Sequence, residues 1–178
     1  MGSEPLLNEV RVGFKIKGTD MLNEVAQAKP FNQMTPEEAE KEFKIWSQKE
    51  YVKISKFCNS KGHQITGIDQ SRCQSLPPTL GLWYVKTQDK KIHLWCIAGE
   101  FPTDLASSKV AENARDALRY FSMSWQLQSA KLEDGLAEGK ISLQDKETQE
   151  KYIIELTTRA ENLYDLYADD KLWKGAGL

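Results

Sequence analysis

Between residues 9 and 17 the chain alternates: Val10, Val12, Phe14 and Ile16 are apolar, with Arg11, Gly13, Lys15 and Lys17 between and after them. A period of two sends successive side chains to opposite faces, which predicts a half-buried strand. Gly18-Thr19-Asp20 then turns the chain, and MLNEVAQA before Pro30 has the makings of a short helix. At Thr35 the period changes. Thr35-Pro36-Glu37-Glu38 offers a capping hydroxyl, a proline at the first helical position and a glutamate at the third, which is the capping-box pattern. Ala39, Phe43, Trp46, Ile54 and Phe57 follow near helical spacing, and the helix is predicted to end between Asn59 and Gly62, where glycine suits a C-cap.

The next stretch, HQITGIDQSRCQSLPPTL, reads as a connector with a short strand near Ile65 to Ile68, stiffened by Pro77 and Pro78. TLGLWYVKT and KIHLWCIAG are β-branched and aromatic, and Gln88-Asp89-Lys90 marks a turn between them, so a hairpin is predicted over about 79–98. Both of its faces are apolar, which calls for helices over at least one of them. A second helix carries Val110, Ala114, Ala117, Leu118, Phe121 and Trp125 as one stripe. Its start is expected among Thr103, Asp104, Ser107 and Ser108, all competent caps. The two glycines of LEDGLAEGKIS are expected to loosen the chain after it. A third helix, roughly 145–168, aligns Ile153, Leu156, Ala160, Leu163 and Tyr167.

Strand, helix, hairpin, helix, helix is the order of an α+β fold: a small antiparallel sheet packed with three main helices. The strict strand–helix alternation of a doubly wound parallel sheet is missing. Residues 1–34, with the strand at 9–17, read as an N-terminal extension, and 35–178 as a single α+β domain. At 178 residues the chain is long enough to bury about 70% of its unfolded surface.

Charge narrows the partners. The net charge is −2, with both signs interspersed and no basic stripe to collect phosphates, so nucleic acid is not an expected partner. No apolar run approaches the roughly 18 residues of a membrane span, and MGSEPLLNEV lacks the basic and apolar regions of a secretion signal. Cys58, Cys73 and Cys96 are odd in number without a CxxC spacing. That argues against a disulfide framework or a four-ligand zinc site and points to reduced thiols in a cytoplasm.

Candidate chemistry gathers at two places. The first is the corner Gly99-Glu100-Phe101-Pro102-Thr103-Asp104, which follows a strand. Its carboxylates would serve acid–base chemistry only if they converged in a concave site. The simpler reading has Gly99 permitting the turn, Pro102 stiffening it, and Thr103 or Asp104 capping the following helix. His63 and His93 have no spacing that suggests a metal site or a Cys–His pair, and Cys96 beside Trp95 and Ile97 reads as core. There is no GxSxG elbow and no glycine-rich phosphate loop. The second place is the tail, NLYDLYADDKLWKGAGL, where Tyr164, Tyr167 and Trp173 sit among Asp165, Asp169 and Asp170. Aromatic anchors within an acidic surface suit a basic protein partner. The alternative is a final turn that docks Trp173 on the core.

Several short motifs stand along the chain: Ser75-Leu76-Pro77-Pro78, Leu82-Trp83, the 99–104 corner, Ala114-Arg115-Asp116-Ala117-Leu118-Arg119-Tyr120-Phe121, Trp125-Gln126-Leu127, and the run Ala160 to Tyr167. On these the chain from about residue 43 to 173 resembles a family of small bacterial proteins with a domain of unknown function. The resemblance implies a compact cytosolic protein and brings no activity, cofactor or catalytic residue with it.

The expected function is therefore a non-catalytic, cytoplasmic protein-binding module. Its sharpest form is an immunity protein occluding a basic bacterial toxin through Glu100, Asp104, Asp165, Asp169, Asp170 and Trp173, with no cofactor and no metal. Two alternatives stand beside it. One is a small enzyme with a site built from the corner, Arg115 and His93, in which Arg115 would clamp a carboxylate or pair structurally with Asp104 or Glu112. The other is a structural subunit of a homo-oligomer.

Overall fold

The computed structural model of the chain describes residues 30–139 and 146–174; the strand expected at 9–17 and the short helix before Pro30 lie outside them. Five strands form one antiparallel sheet: β1 (Ile65–Ile68), β2 (Gln74–Leu76), β3 (Leu80–Thr87), β4 (His93–Gly99) and β5 (Asp104–Ser107). The order runs β1-β3-β4-β5, and β2 shares the β1 edge of β3. The hairpin stands at the centre of the sheet, with Leu82 opposite Ile97 and Tyr84 opposite Trp95.

Two layers of helix cover it. Helix α1 (Pro36–Ser60) begins with the capping box: Thr35 Oγ1 accepts from Glu38 N at 3.2 Å, and Glu38 Oε2 accepts from Thr35 N at 2.8 Å. It ends before Gly62, whose φ is +84°. Trp46, Ile54 and Cys58 of α1 bury against Trp83, Val85, Leu94, Cys96 and Ala98. The alternate side chains, Leu80, Leu82, Tyr84, Trp95 and Ile97, face the other way, onto α2 (Ala114–Ala137) and α3 (Lys146–Ala168). The period of two along β3 and β4 thus feeds two cores, which is why both hairpin faces are apolar. Helices α2 and α3 pack closely through small residues, with Ser122 Oγ donating to Ala160 O at 2.8 Å. A last short helix, α4 (Asp170–Trp173), follows.

Three expectations need correction. The segment after the corner is a strand, β5, followed by a short 3-10 turn (Ser108–Val110), so Thr103 and Asp104 cap no helix. β4 would otherwise expose its ladder groups along that edge, and residues 104–107 satisfy them. The cap of α2 is Asn113, whose side chain accepts from Asp116 N at 2.9 Å. Val110 falls outside the helix and is exposed. Finally, α2 runs through Gly135 to Ala137 rather than loosening. Gly135 stands in the last turn, and it is the second glycine, Gly139 at φ +66°, that follows the helix end.

The interruption between β1 and β2 has its own plug. Where the two short strands leave β3 unpaired, Asp69 N donates to Tyr84 O at 2.9 Å, and the Cys73 thiol accepts from Tyr84 N at 3.3 Å. No helix among the described residues is long and apolar enough to cross a membrane.

Candidate functional site

The corner is built by a glycine and two cations. Gly99 has φ +121°, a conformation that L side chains rarely adopt, and a Cβ there would lie 2.4 Å from Thr79 O. The next residue, Glu100, donates its N–H to that same oxygen at 2.9 Å. From α1, Lys53 Nζ donates to Gly99 O at 2.9 Å while pairing with the buried Glu50 at 2.7 Å. From α3, Arg159 Nη1 donates to Glu100 O at 3.0 Å. Phe101 is buried and its ring lies 6.5 Å from that of Trp125.

The two acidic side chains of this corner diverge. Glu100 is exposed. Asp104 is committed inward: Oδ2 accepts from Trp125 Nε1 at 2.8 Å, and Oδ1 from Leu105 N at 2.8 Å. An indole N–H in a core needs an acceptor, and Asp104 supplies it from β5. That role was hidden in the sequence because Asp104 and Trp125 are brought together only by the fold. A carboxylate so held offers little to a partner, which leaves Glu100 as the available acid of the corner.

The tail is organised by Arg115. Its Nε donates to Tyr167 O at 3.1 Å, covering an open carbonyl at the end of α3, and its Nη2 pairs with Asp170 Oδ1 at 2.5 Å. The guanidinium lies over the rings of Tyr167 and Trp173, at 5.3 and 5.9 Å. The sequence had suggested Asp104 or Glu112 as the structural partner of Arg115; its ion pair is with Asp170 instead. Asp169 caps α4, its Oδ1 accepting from Lys171 N at 3.0 Å. Trp173 is 4% exposed, and its Nε1 donates to Leu166 O at 3.0 Å. Buried against the core with Leu80 and Leu82, it cannot fill a partner's pocket; the docking alternative describes it.

Asp165 and Tyr164 face solvent from the last turns of α3. Asp165 is exposed and takes part in no ion pair among the described residues. Tyr164 is 49% exposed, its ring 5.8 Å from that of Tyr167. The sequence carried the signal for Tyr164: it falls one residue off the stripe that ends at Leu163 and Tyr167, so the helical period turns it outward. Among the described residues no hydrogen bond or ion pair joins the corner to the tail.

Asp170 gives a direct check of this arrangement. The Arg115 guanidinium, by hydrogen bond first and by charge second, holds the Asp170 carboxyl below its ordinary value. A depressed carboxyl stabilises the fold above its unfolded value and loses that contribution as pH falls through the folded one. In an NMR titration the Asp170 midpoint is expected below the ordinary aspartate value of about 3.9, and Arg115→Gln should raise it toward that value. A midpoint indifferent to that substitution would remove Arg115 from its central place in the tail.

The histidines and thiols are separate. His93 stacks on Tyr84 at 5.6 Å, and His63 is half-buried beside the end of α1. Cys58 and Cys96 are fully buried with their sulfurs 3.5 Å apart, and the Cys96 thiol, bonded to Cys58 and desolvated, is held far above its ordinary value. Burial pushes the Cys73 thiol up to about 11. Among the described residues no three His, Cys, Asp or Glu side chains are grouped to hold a metal ion.

One concave feature lies beside α2, an open groove of about 700 Å³ lined by Arg72, Lys109 and Arg119 together with Val110, Tyr120 and Met123. Glu112 and Asp116 also line it. Its wall is fixed by aromatic anchors: Arg72 lies 3.9 Å over the Tyr84 ring and donates to Glu112 O at 2.8 Å, while Trp95 Nε1 donates to Ala111 O at 3.1 Å.

A family model described as Domain of unknown function (DUF4826) matches residues 40–173. The chain belongs to that family. The DUF4826 match runs from the second turn of α1 to Trp173, so it takes in the whole sheet, the corner, the groove and the Arg115-centred tail. No curated protein and no solved structure matches the chain.

Proposed function

We propose that this chain is a cytoplasmic protein-binding module that performs no chemistry of its own, and that its sharpest form is an immunity protein occluding a basic bacterial toxin. The observation carrying this reading is Tyr164, a half-exposed aromatic on the outer face of α3 with the exposed carboxylates of Glu161 and Asp165 beside it in sequence. An aromatic ring supplies contact area at low entropic cost, and surrounding carboxylates steer a cationic partner and disfavour an acidic one. Tyr164 takes the anchoring role that the sequence alone had given to Trp173. Asp165 and the largely exposed Asp170 extend the acidic surface, and Glu100 adds a carboxylate at the corner.

The test pairs the full chain with the product of the gene adjacent to its own, by calorimetry and by co-expression in a growth assay. Binding is expected, with protection of growth. Tyr164→Ala should weaken binding about 30-fold, the size of a hot-spot loss, and leave the thermal midpoint unchanged. Failure to bind, or binding indifferent to both Tyr164→Ala and Asp165→Lys, overturns the proposal.

A further inference from the structure

The core beneath α1 holds two thiols in contact. Among the described residues that core takes its helical side chains from α1 alone: Trp46, Ile54 and Cys58, with Phe43 beside them, meet Val85, Leu94, Cys96 and Ala98 of the central hairpin. Cys58 stands near the end of the helix and Cys96 at the middle of β4, 38 positions apart in sequence. Their sulfurs are 3.5 Å apart, and both residues are 0% exposed. Tyr164 and its acidic surroundings lie on α3, across the sheet from this pair, so either feature can be disabled without the other.

We propose that Cys58 and Cys96 form a redox latch: hydrogen peroxide, a two-electron oxidant, joins them in a disulfide that fastens α1 to β4, and a dithiol reductant releases it. A disulfide bond is about 2.05 Å long, so the sulfurs must approach by about 1.5 Å. Rotation about the two Cα–Cβ bonds supplies a movement of that size without displacing either element. The sulfurs are chemically unlike. The hydrogen bond between them lowers the Cys58 thiol from its ordinary value and, with burial, raises that of Cys96. Cys58 therefore reaches the thiolate first. That thiolate attacks one peroxide oxygen: the S–O bond forms, the O–O bond breaks, and the departing hydroxide takes up the proton Cys58 released. Cys96 then attacks the Cys58 sulfur. The S–S bond forms, the S–O bond breaks, and hydroxide leaves as water with the Cys96 proton. Two thiols and one peroxide give one disulfide and two waters; the sulfurs are oxidised and the peroxide oxygens reduced.

The end of α1 controls access. Both sulfurs are covered in the closed fold, so oxidation waits for the helix to open from its last turn. That turn is closed by the N–H groups of Lys61, Gly62 and His63, which donate to the carbonyls of Phe57, Cys58 and Asn59. Strand β4 is paired on both sides and holds Cys96 in place meanwhile. The latch is therefore slow to form and slow to release, and it answers sustained oxidant instead of a brief pulse. The third thiol stays out of the reaction. Burial pushes Cys73 up to about 11, and its sulfur is engaged by Tyr84 N and Asp69 O.

Peptide mapping of the full chain reads the outcome, after prolonged treatment with hydrogen peroxide and alkylation of the remaining thiols in denaturant. A cross-linked pair of peptides carrying Cys58 and Cys96 is expected, with Cys73 alkylated. Closing a separation of 38 positions should raise the thermal midpoint by about 8–15 °C, and dithiothreitol should return it to the reduced value. Cys96→Ala should abolish both the cross-link and the rise, and Cys73→Ser should change neither. Alkylation of Cys58 and Cys96 after the treatment overturns the proposal. So does a disulfide that includes Cys73, or a cross-link that leaves the thermal midpoint unchanged or lowers it.

Discussion

Trp173→Ala is expected to lower the stability of the chain by about 3–5 kcal/mol, the usual cost of truncating a buried aromatic. The indole is 4% exposed and packs with Leu80 and Leu82, whose strand is the centre of the sheet. Truncation removes that area, leaves a cavity, and frees Leu166 O from its 3.0 Å bond. It also takes away one of the two rings beneath Arg115. Against a total stability of about 5–15 kcal/mol, a loss of this size is visible in any urea titration. Trp173→Phe should cost less, because most of the packing survives and only the N–H is lost. A change below about 1 kcal/mol for the alanine variant would mean that the tail is not docked on the core.

Gly99→Ala is the second large effect, expected at roughly 2–4 kcal/mol from backbone strain of about 1–3 kcal/mol and a weakened hydrogen bond. The new Cβ would stand 2.4 Å from Thr79 O and 2.9 Å from the Thr79 carbonyl carbon. Backbone cannot step aside there as a flexible side chain could. Thr79 O is already fixed by Glu100 N, and Gly99 itself pairs with Leu80 at the end of the central hairpin. The urea midpoint should fall with little change in slope, since the surface exposed on unfolding stays the same. An alanine variant as stable as the parent would show that the positive φ of Gly99 is not required.

The elements that the sequence disclosed are those whose signals are local. Thr35 to Glu38 carries a complete cap within four residues, and the α3 stripe from Ile153 to Leu163 repeats often enough to define a face. The hairpin was equally plain, because aromatic and β-branched residues crowd both strands. What stayed hidden depends on partners distant in sequence. Strands β2 and β5 are three and four residues long and exist because β3 and β4 have edges to satisfy. Asp104 looked like a cap until Trp125 arrived beside it, and Arg115 found Asp170 fifty-five residues away. Trp173 shows the limit most clearly: an aromatic among acids reads alike whether it docks inward or outward.

Two successive peptide carbonyls, those of Gly99 and Glu100, are held by cations reaching in from opposite sides of the sheet, Lys53 on α1 and Arg159 on α3. This loop is thus a shared fastening for both helical covers. A protease nick or an insertion between these residues would loosen the two layers together, whereas an equal lesion at the Asp89 turn would spare both.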